Sequence, residues 1–153
     1  MIAAFDNLTG SEMETMFRSP MLVCILIAGA DGTVDRKEIS KAVSVAEKKT
    51  TKSKASLLEF YHEVNENFED KLKIVMQGLP HEVEERNHEI VAELTRLNDI
   101  FKKLDKSFVA DFHWSLKFMA EKIAQSSGGL LGLKKVGEEE ERFVDLPMIK
   151  VPR

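Results

Sequence analysis

Three carboxylates crowd one short stretch of the chain, Asp31, Asp35 and Glu38 in the segment ADGTVDRKE. Carboxylate oxygens are hard ligands suited to a Mg²⁺- or Ca²⁺-like ion, and a turn that gathers these three offers a divalent-cation site. Aligned to an EF-hand loop, Asp31 falls at the fifth position, Gly32 at the sixth, Asp35 at the ninth and Glu38 at the twelfth. The first and third positions are Ile27 and Gly29, so two leading ligands are missing. An ion here is bound weakly or with ligands from elsewhere in the chain. The same residues also fit a structural pattern. Asp31-Gly32 is a turn signal, because Gly32 adopts positive φ without a Cβ clash and Asp31 bonds to nearby amides. Asp35 and Glu38 have the spacing of a capping box at the start of a helix, where the helix dipole favours acids. Metal site and helix cap both stay open on these residues.

Other chemistry is poorly supported. Glu59 with His62, and Glu85 with His88, have the Glu-x-x-His spacing of di-iron helical carboxylate proteins. The helical stripes around them turn both pairs to solvent, away from the apolar face. His113 sits beside an apolar stripe and reads as a boundary residue. No nucleophile-elbow motif, phosphate loop or supported Cys-His signature is present, so the chain reads as non-enzymatic. Cys24 is the only cysteine and lies in an apolar run, which excludes an internal disulfide and makes it a buried, inert thiol.

At 153 residues and 43% hydrophobic, the chain has the size and apolar content of one domain. Its net charge of −4 disfavours nonspecific nucleic-acid binding, which calls for a basic surface. Residues 1 to 10 carry no basic signal region, and the apolar run Met21 to Ala30 is about half a membrane span. The chain reads as cytoplasmic, with no transmembrane segment.

The elements that must position the acidic turn follow helical spacing. Ser11 with Glu14 predicts a capped helix that Pro20 ends or kinks near Ser19. Ile2 and Phe5 in the lead before it are placed to tuck against the body. An apolar helix then runs to the turn, and after it Ile39, Ala42, Val43 and Ala46 mark a buried helical face. Lys48, Lys49, Lys52 and Lys54 form a basic cluster that neutralises a helix end or docks an acidic partner. Leu57, Tyr61, Val64 and Phe68 share a stripe continued by Leu72, Val75 and Met76, with a break at Asn65 to Asn67. Pro80 is placed to open the next helix, in which Ile90, Leu94, Leu97, Phe101 and Leu104 recur as one regular seam. Asp105 or Ser107 caps a last long helix with Phe108, Phe112, Leu116, Met119 and Ile123 inward. Trp114 lies off that stripe, as a second packing surface or a partner contact.

An apolar helix ending in IAGADG and followed by TVDRKEI resembles the TerB-like domain associated with bacterial tellurite resistance. Members of that family carry an elbow of the form ADG, two residues, Asp or Ser, two residues, Glu. The resemblance implies an all-α, single-domain bundle of six to seven helices with a pseudo-repeated helix-acidic elbow-helix unit. It covers roughly residues 12–145, leaving residues 1–11 as a lead and 146–153 as an extended strap. The second copy of the unit would be IAQSSG, residues 123–128, with Val136, Glu139 and Glu140 beyond it as additional acids, although Ser127 stands where the family prefers Asp. The inserted GLLGLKKV places Leu130, Leu131 and Leu133 in a Gly-rich loop, a surface for a partner. The resemblance further implies a non-enzymatic stress-response or interaction module, a divalent cation of Mg or Ca type at Asp31, Asp35 and Glu38, and a protein partner in a complex near the membrane. The alternative is a structural adaptor without metal that binds through the leucine loop or through Lys48 and Lys49.

Overall fold

A computed structural model describes residues 2–29, 36–49, 55–129 and 143–150. The chain opens with a 3-10 turn, Ala3–Phe5, followed by helices α1 (Gly10–Ala28), α2 (Arg36–Lys49), α3 (Ala55–Asn65) and α4 (Phe68–Gln77). Helix α5 (Val83–Thr95) leads into the single turn α6 (Leu97–Ile100), a 3-10 turn at Phe101–Lys103 and the long α7 (Lys106–Gly129). All regular structure among the described residues is helical, as the periodicity predicts. None of these helices is long and apolar enough to cross a membrane.

Helix α1 is the hub. Every residue from Ser19 to Gly29 is buried, because α7, α5 and α2 pack around this half of the helix from different sides. That is why MLVCILIA reads as apolar on every face instead of striped. The helix begins earlier than Ser11: Thr9 is the cap, its hydroxyl accepting from the Glu12 amide at 3.1 Å while the Glu12 carboxylate accepts from the Thr9 amide at 2.9 Å. The expected stop at Pro20 does not occur, and α1 runs through it to Ala28. Proline cannot donate to the Met16 carbonyl one turn back. The buried Ser19 hydroxyl donates to that carbonyl instead, at 2.7 Å, so the break in the ladder leaves no orphan acceptor there.

The remaining stripes fall where their spacing puts them. Ile39, Ala42, Val43 and Ala46 of α2 are buried, as are Leu57, Tyr61 and Val64 of α3, Phe68, Leu72 and Val75 of α4, and the inward residues of α7 from Phe108 to Ile123. Asn67 separates α3 from α4 in the left-handed conformation, φ 54°, which asparagine tolerates better than most side chains. The seam Ile90 to Leu104 is buried throughout but is not one helix. Thr95 donates its hydroxyl to the Val91 carbonyl at 2.6 Å, and the Arg96 amide reaches back only three residues, to Glu93. A side chain bonded back onto its own helix competes with the backbone ladder at that turn. Helix α5 also starts later than Pro80 suggests, with the Glu82 carboxylate capping the Glu85 amide at 2.7 Å.

One expectation about the chain ends holds and two change. Ile2, Phe5 and Leu8 are buried, and the Phe5 ring meets Phe17, Phe60 and Phe108 edge-on, so the apolar core takes in the lead. Helix α7 continues to Gly129, past the residues aligned with the first elbow, whereas α1 stops at Ala28. The stretch 123–128 is therefore helix throughout, and the expected second elbow does not fall there. Residues 143–150 fold back as consecutive turns, with Leu146 and Ile149 buried, rather than as an extended strap.

Candidate functional site

Residues 30–35, which carry Asp31 and Asp35, join α1 to α2 in the sequence and lie outside the described residues; the helix ends on either side are described. Helix α1 ends with the Gly29 amide bonded to the Ile25 carbonyl at 2.8 Å. The Gly29 carbonyl, one of the acceptors a helix end leaves unpaired, takes the Arg86 guanidinium: Nη2 donates to it at 2.8 Å. A cation at the negative end of a helix dipole is favourably placed. The Nε of the same guanidinium is buried and has no acceptor among the described residues, and neither does the buried Oδ1 of the adjacent Asn87 have a donor there. A buried N–H without a partner is costly, so an acceptor at this position would be held firmly. Glu38 lies half-buried in the first turn of α2, on the far side of the turn.

Asp31 and Asp35 lie outside the described residues, as do Leu130, Leu131, Leu133, Glu139 and Glu140. Of the expected site residues, Glu38, Lys48 and Lys49 are placed. Both lysines are exposed in the last turn of α2, where ammonium groups suit the carbonyl end of a helix. They stand at the opposite end of α2 from Glu38, while Lys52 and Lys54 of the cluster lie outside the described residues.

The Glu-x-x-His pairs do not build a centre. Glu59, His62, Glu85 and His88 are all exposed. Glu47 faces His62 at 3.7 Å but is already engaged by the Asn65 amide at 2.7 Å. Together with Ala55, Leu58 and Glu59 these side chains line a shallow recess of ≈ 460 Å³. Among the described residues, no group of three or more His, Cys, Asp or Glu side chains is placed to hold a metal ion. His113 is partly buried, and burial, aided by the nearby Lys117 charge, pushes its pKa below the ordinary value.

The core holds two polar groups with chemical potential that burial silences. Desolvation raises the Cys24 thiol to about 12, so it is not a nucleophile near neutral pH. The Tyr61 hydroxyl is likewise pushed upward by burial and shares a 2.5 Å hydrogen bond with Ser115, whose hydroxyl also reaches the Phe112 carbonyl at 2.6 Å. The Tyr61–Ser115 bond ties α3 to α7.

Arg86 was not among the expected residues, yet a signal for it exists. It falls four residues before Ile90, on the same stripe as Ile90, Leu94 and Leu97, and a charged residue on a buried stripe calls for a partner. Arg18 on α1 and Glu93 on α5 are a second such pair, joined at 2.8 and 3.1 Å through two guanidinium nitrogens. Arg86 and Arg18 thus fasten α5 along α1 as far as the mouth of the acidic turn. Compared with known protein families, characterised proteins and solved structures, the chain matches none.

Proposed function

We propose that the protein is a non-enzymatic, cytoplasmic interaction module of the TerB-like kind, and that the acidic turn between α1 and α2 is its ligand-responsive element. The observation that carries this reading is Arg86, which binds the carbonyl where the turn begins and keeps a buried N–H without an acceptor among the described residues. Asp31 and Asp35 follow within six residues of that carbonyl. Without a cation, Asp31, Asp35 and Glu38 repel one another, and the Arg86 guanidinium on the Gly29 carbonyl sets a positive charge at the start of their segment. A divalent cation of Mg or Ca type takes the carboxylates, stiffens the turn and alters its hold on α5 through Arg86. The partner is a protein, in a stress-response complex near the membrane.

Thermal unfolding tests this with the protein stripped by chelator and then supplied with millimolar Mg²⁺, Ca²⁺, Mn²⁺ or Zn²⁺. An ion that binds only the folded state raises the midpoint, because at one hundred times its Kd it adds about 2.7 kcal/mol to the unfolding free energy. The expected result is a rise with one ion that Asp31→Asn abolishes. If no ion shifts the midpoint, the acids are helix caps and the cation reading is wrong. The second reading, a metal-free adaptor, then stands on the exposed pair Lys48 and Lys49, with Leu130, Leu131 and Leu133 as the other surface. It predicts that charge reversal at both lysines removes binding to an acidic partner without lowering the midpoint.

A further inference from the structure

Residues 143–150, FVDLPMIK, sit on α6 in the manner of a bound peptide. The Asn98 side-chain amide faces the tail with both of its functions: Nδ2 donates to the Met148 carbonyl at 2.9 Å and Oδ1 accepts from the Lys150 amide at 2.7 Å. These bonds read the main chain and ignore which side chains the two residues carry. Side-chain selectivity comes from Leu146, fully buried, and Ile149, 5% exposed, three residues apart. Two tight turns hold that spacing, the Leu146 amide on the Phe143 carbonyl at 2.8 Å and the Ile149 amide on the Leu146 carbonyl at 3.0 Å. The seat itself is rigid, because Leu97 and Ile100 on either side of Asn98 belong to the core.

The tail is strained in this seat. Leu146 has φ 50°, a left-handed conformation uncommon for a residue with a branched side chain. It also precedes Pro147, whose ring disfavours helical conformations in the residue before it. The strain belongs to the tail and weakens its hold without weakening the seat. Residues 130–142 join the tail to α7 and give it contour enough to leave without unwinding that helix.

We propose that the seat on α6 is a binding site for a linear peptide of the pattern Leu-Pro-x-Ile, occupied in cis by residues 143–150, and that a partner segment of this chemistry binds by displacing the tail. This site is separate from the acidic turn, so its test is independent of cation binding. A site filled in cis binds an external peptide with an affinity reduced by the fraction of time it stands open. The probe is a fluorescent FVDLPMIK peptide, read by anisotropy against the full-length protein. Wild type binds it weakly, and Leu146→Asp, which expels the tail, binds it at least about ten-fold more tightly. Adding Asn98→Ala to that variant returns binding to the wild-type level or below.

Lys150→Pro is the gentler companion variant, removing one hydrogen-bond donor while leaving both apolar anchors in place. It raises affinity by a smaller factor. A Leu146→Asp protein that melts cooperatively yet binds no peptide overturns the proposal. If Leu146→Asp unfolds, an unchanged affinity in Lys150→Pro overturns it instead. Light scattering covers the other occupant: a wild-type dimer that Lys150→Pro or Leu146→Asp makes monomeric gives the seat to the tail of a second copy, and the hetero-partner proposal falls.

Discussion

Single side chains decide where the helices of this protein begin, and two of them make its stability sensitive to acid. The Glu12 carboxylate is held below its ordinary value of 4.5 by the Thr9 amide first and the Lys103 side chain next. Asp105 is held below 3.8 by the Ser107 hydroxyl and then by the Phe108 amide, at the start of α7. For both groups the folded value lies below the unfolded one. The stability they contribute is complete above the unfolded values and is lost as pH falls through the lower, folded values. The midpoint of thermal unfolding should therefore drop on acidification below about pH 4. Asp105→Ala should lower the midpoint at neutral pH and flatten the acid limb, and an acid limb that superimposes on wild type would show that this cap carries no linked proton. The sequence marks Asp105 or Ser107 as the cap of α7 and Ser11 with Glu14 as the box of α1, whereas the box found at α1 is Thr9 with Glu12. Spacing does not separate the two boxes. Lys103, ninety-one positions further along the chain, reaches Glu12 at 2.9 Å and favours the earlier one.

Elements are continuous or broken here for reasons a local rule does not contain. Proline inside a helix removes one bond and ordinarily ends the pattern, yet α1 passes Pro20 because Ser19 satisfies Met16. Ser19→Ala should leave that carbonyl buried and unpaired, at a cost of about 1–3 kcal/mol in urea unfolding. In a Pro20→Ala background the restored backbone N–H takes the same carbonyl, and Ser19→Ala should then cost far less. Equal costs in the two backgrounds would mean the serine acts in some other way. The opposite case is the Ile90 to Leu104 seam, whose spacing is perfect for one helix and whose backbone nevertheless breaks after Thr95. A side-chain hydroxyl repairs the first helix, and the second ends at a residue whose hydroxyl bonds back one turn.

Across the whole molecule the helices close around a cluster of rings. Phe60 lies at its centre, 5.1 Å from Phe17 in a stacked pair and 5.9, 5.1 and 5.3 Å from Phe5, Tyr61 and Phe112 in edge-on pairs. Phe60→Ala should cost about 3–5 kcal/mol, and Phe60→Leu, which keeps most of the volume, less than about 1.5, both by urea titration. Near-equal costs would place the stabilisation outside the ring contacts. The stripe through Leu57, Tyr61 and Val64 does not include Phe60, one residue to the side. It is buried because the N-terminal turn bearing Phe5 covers that flank, a contact made across more than fifty positions of sequence. By itself the sequence determined the all-α class, the inward faces of α2, α3, α4 and α7, the break at Asn67 and the acids of the turn, because these follow from side-chain period and local hydrogen bonding. Tertiary structure alone decided which rings the lead meets, that Arg86 takes the Gly29 carbonyl and that the tail lies in the grip of Asn98. Each of these depends on partners far apart in the chain, and no spacing along one helix encodes which distant surface will cover it.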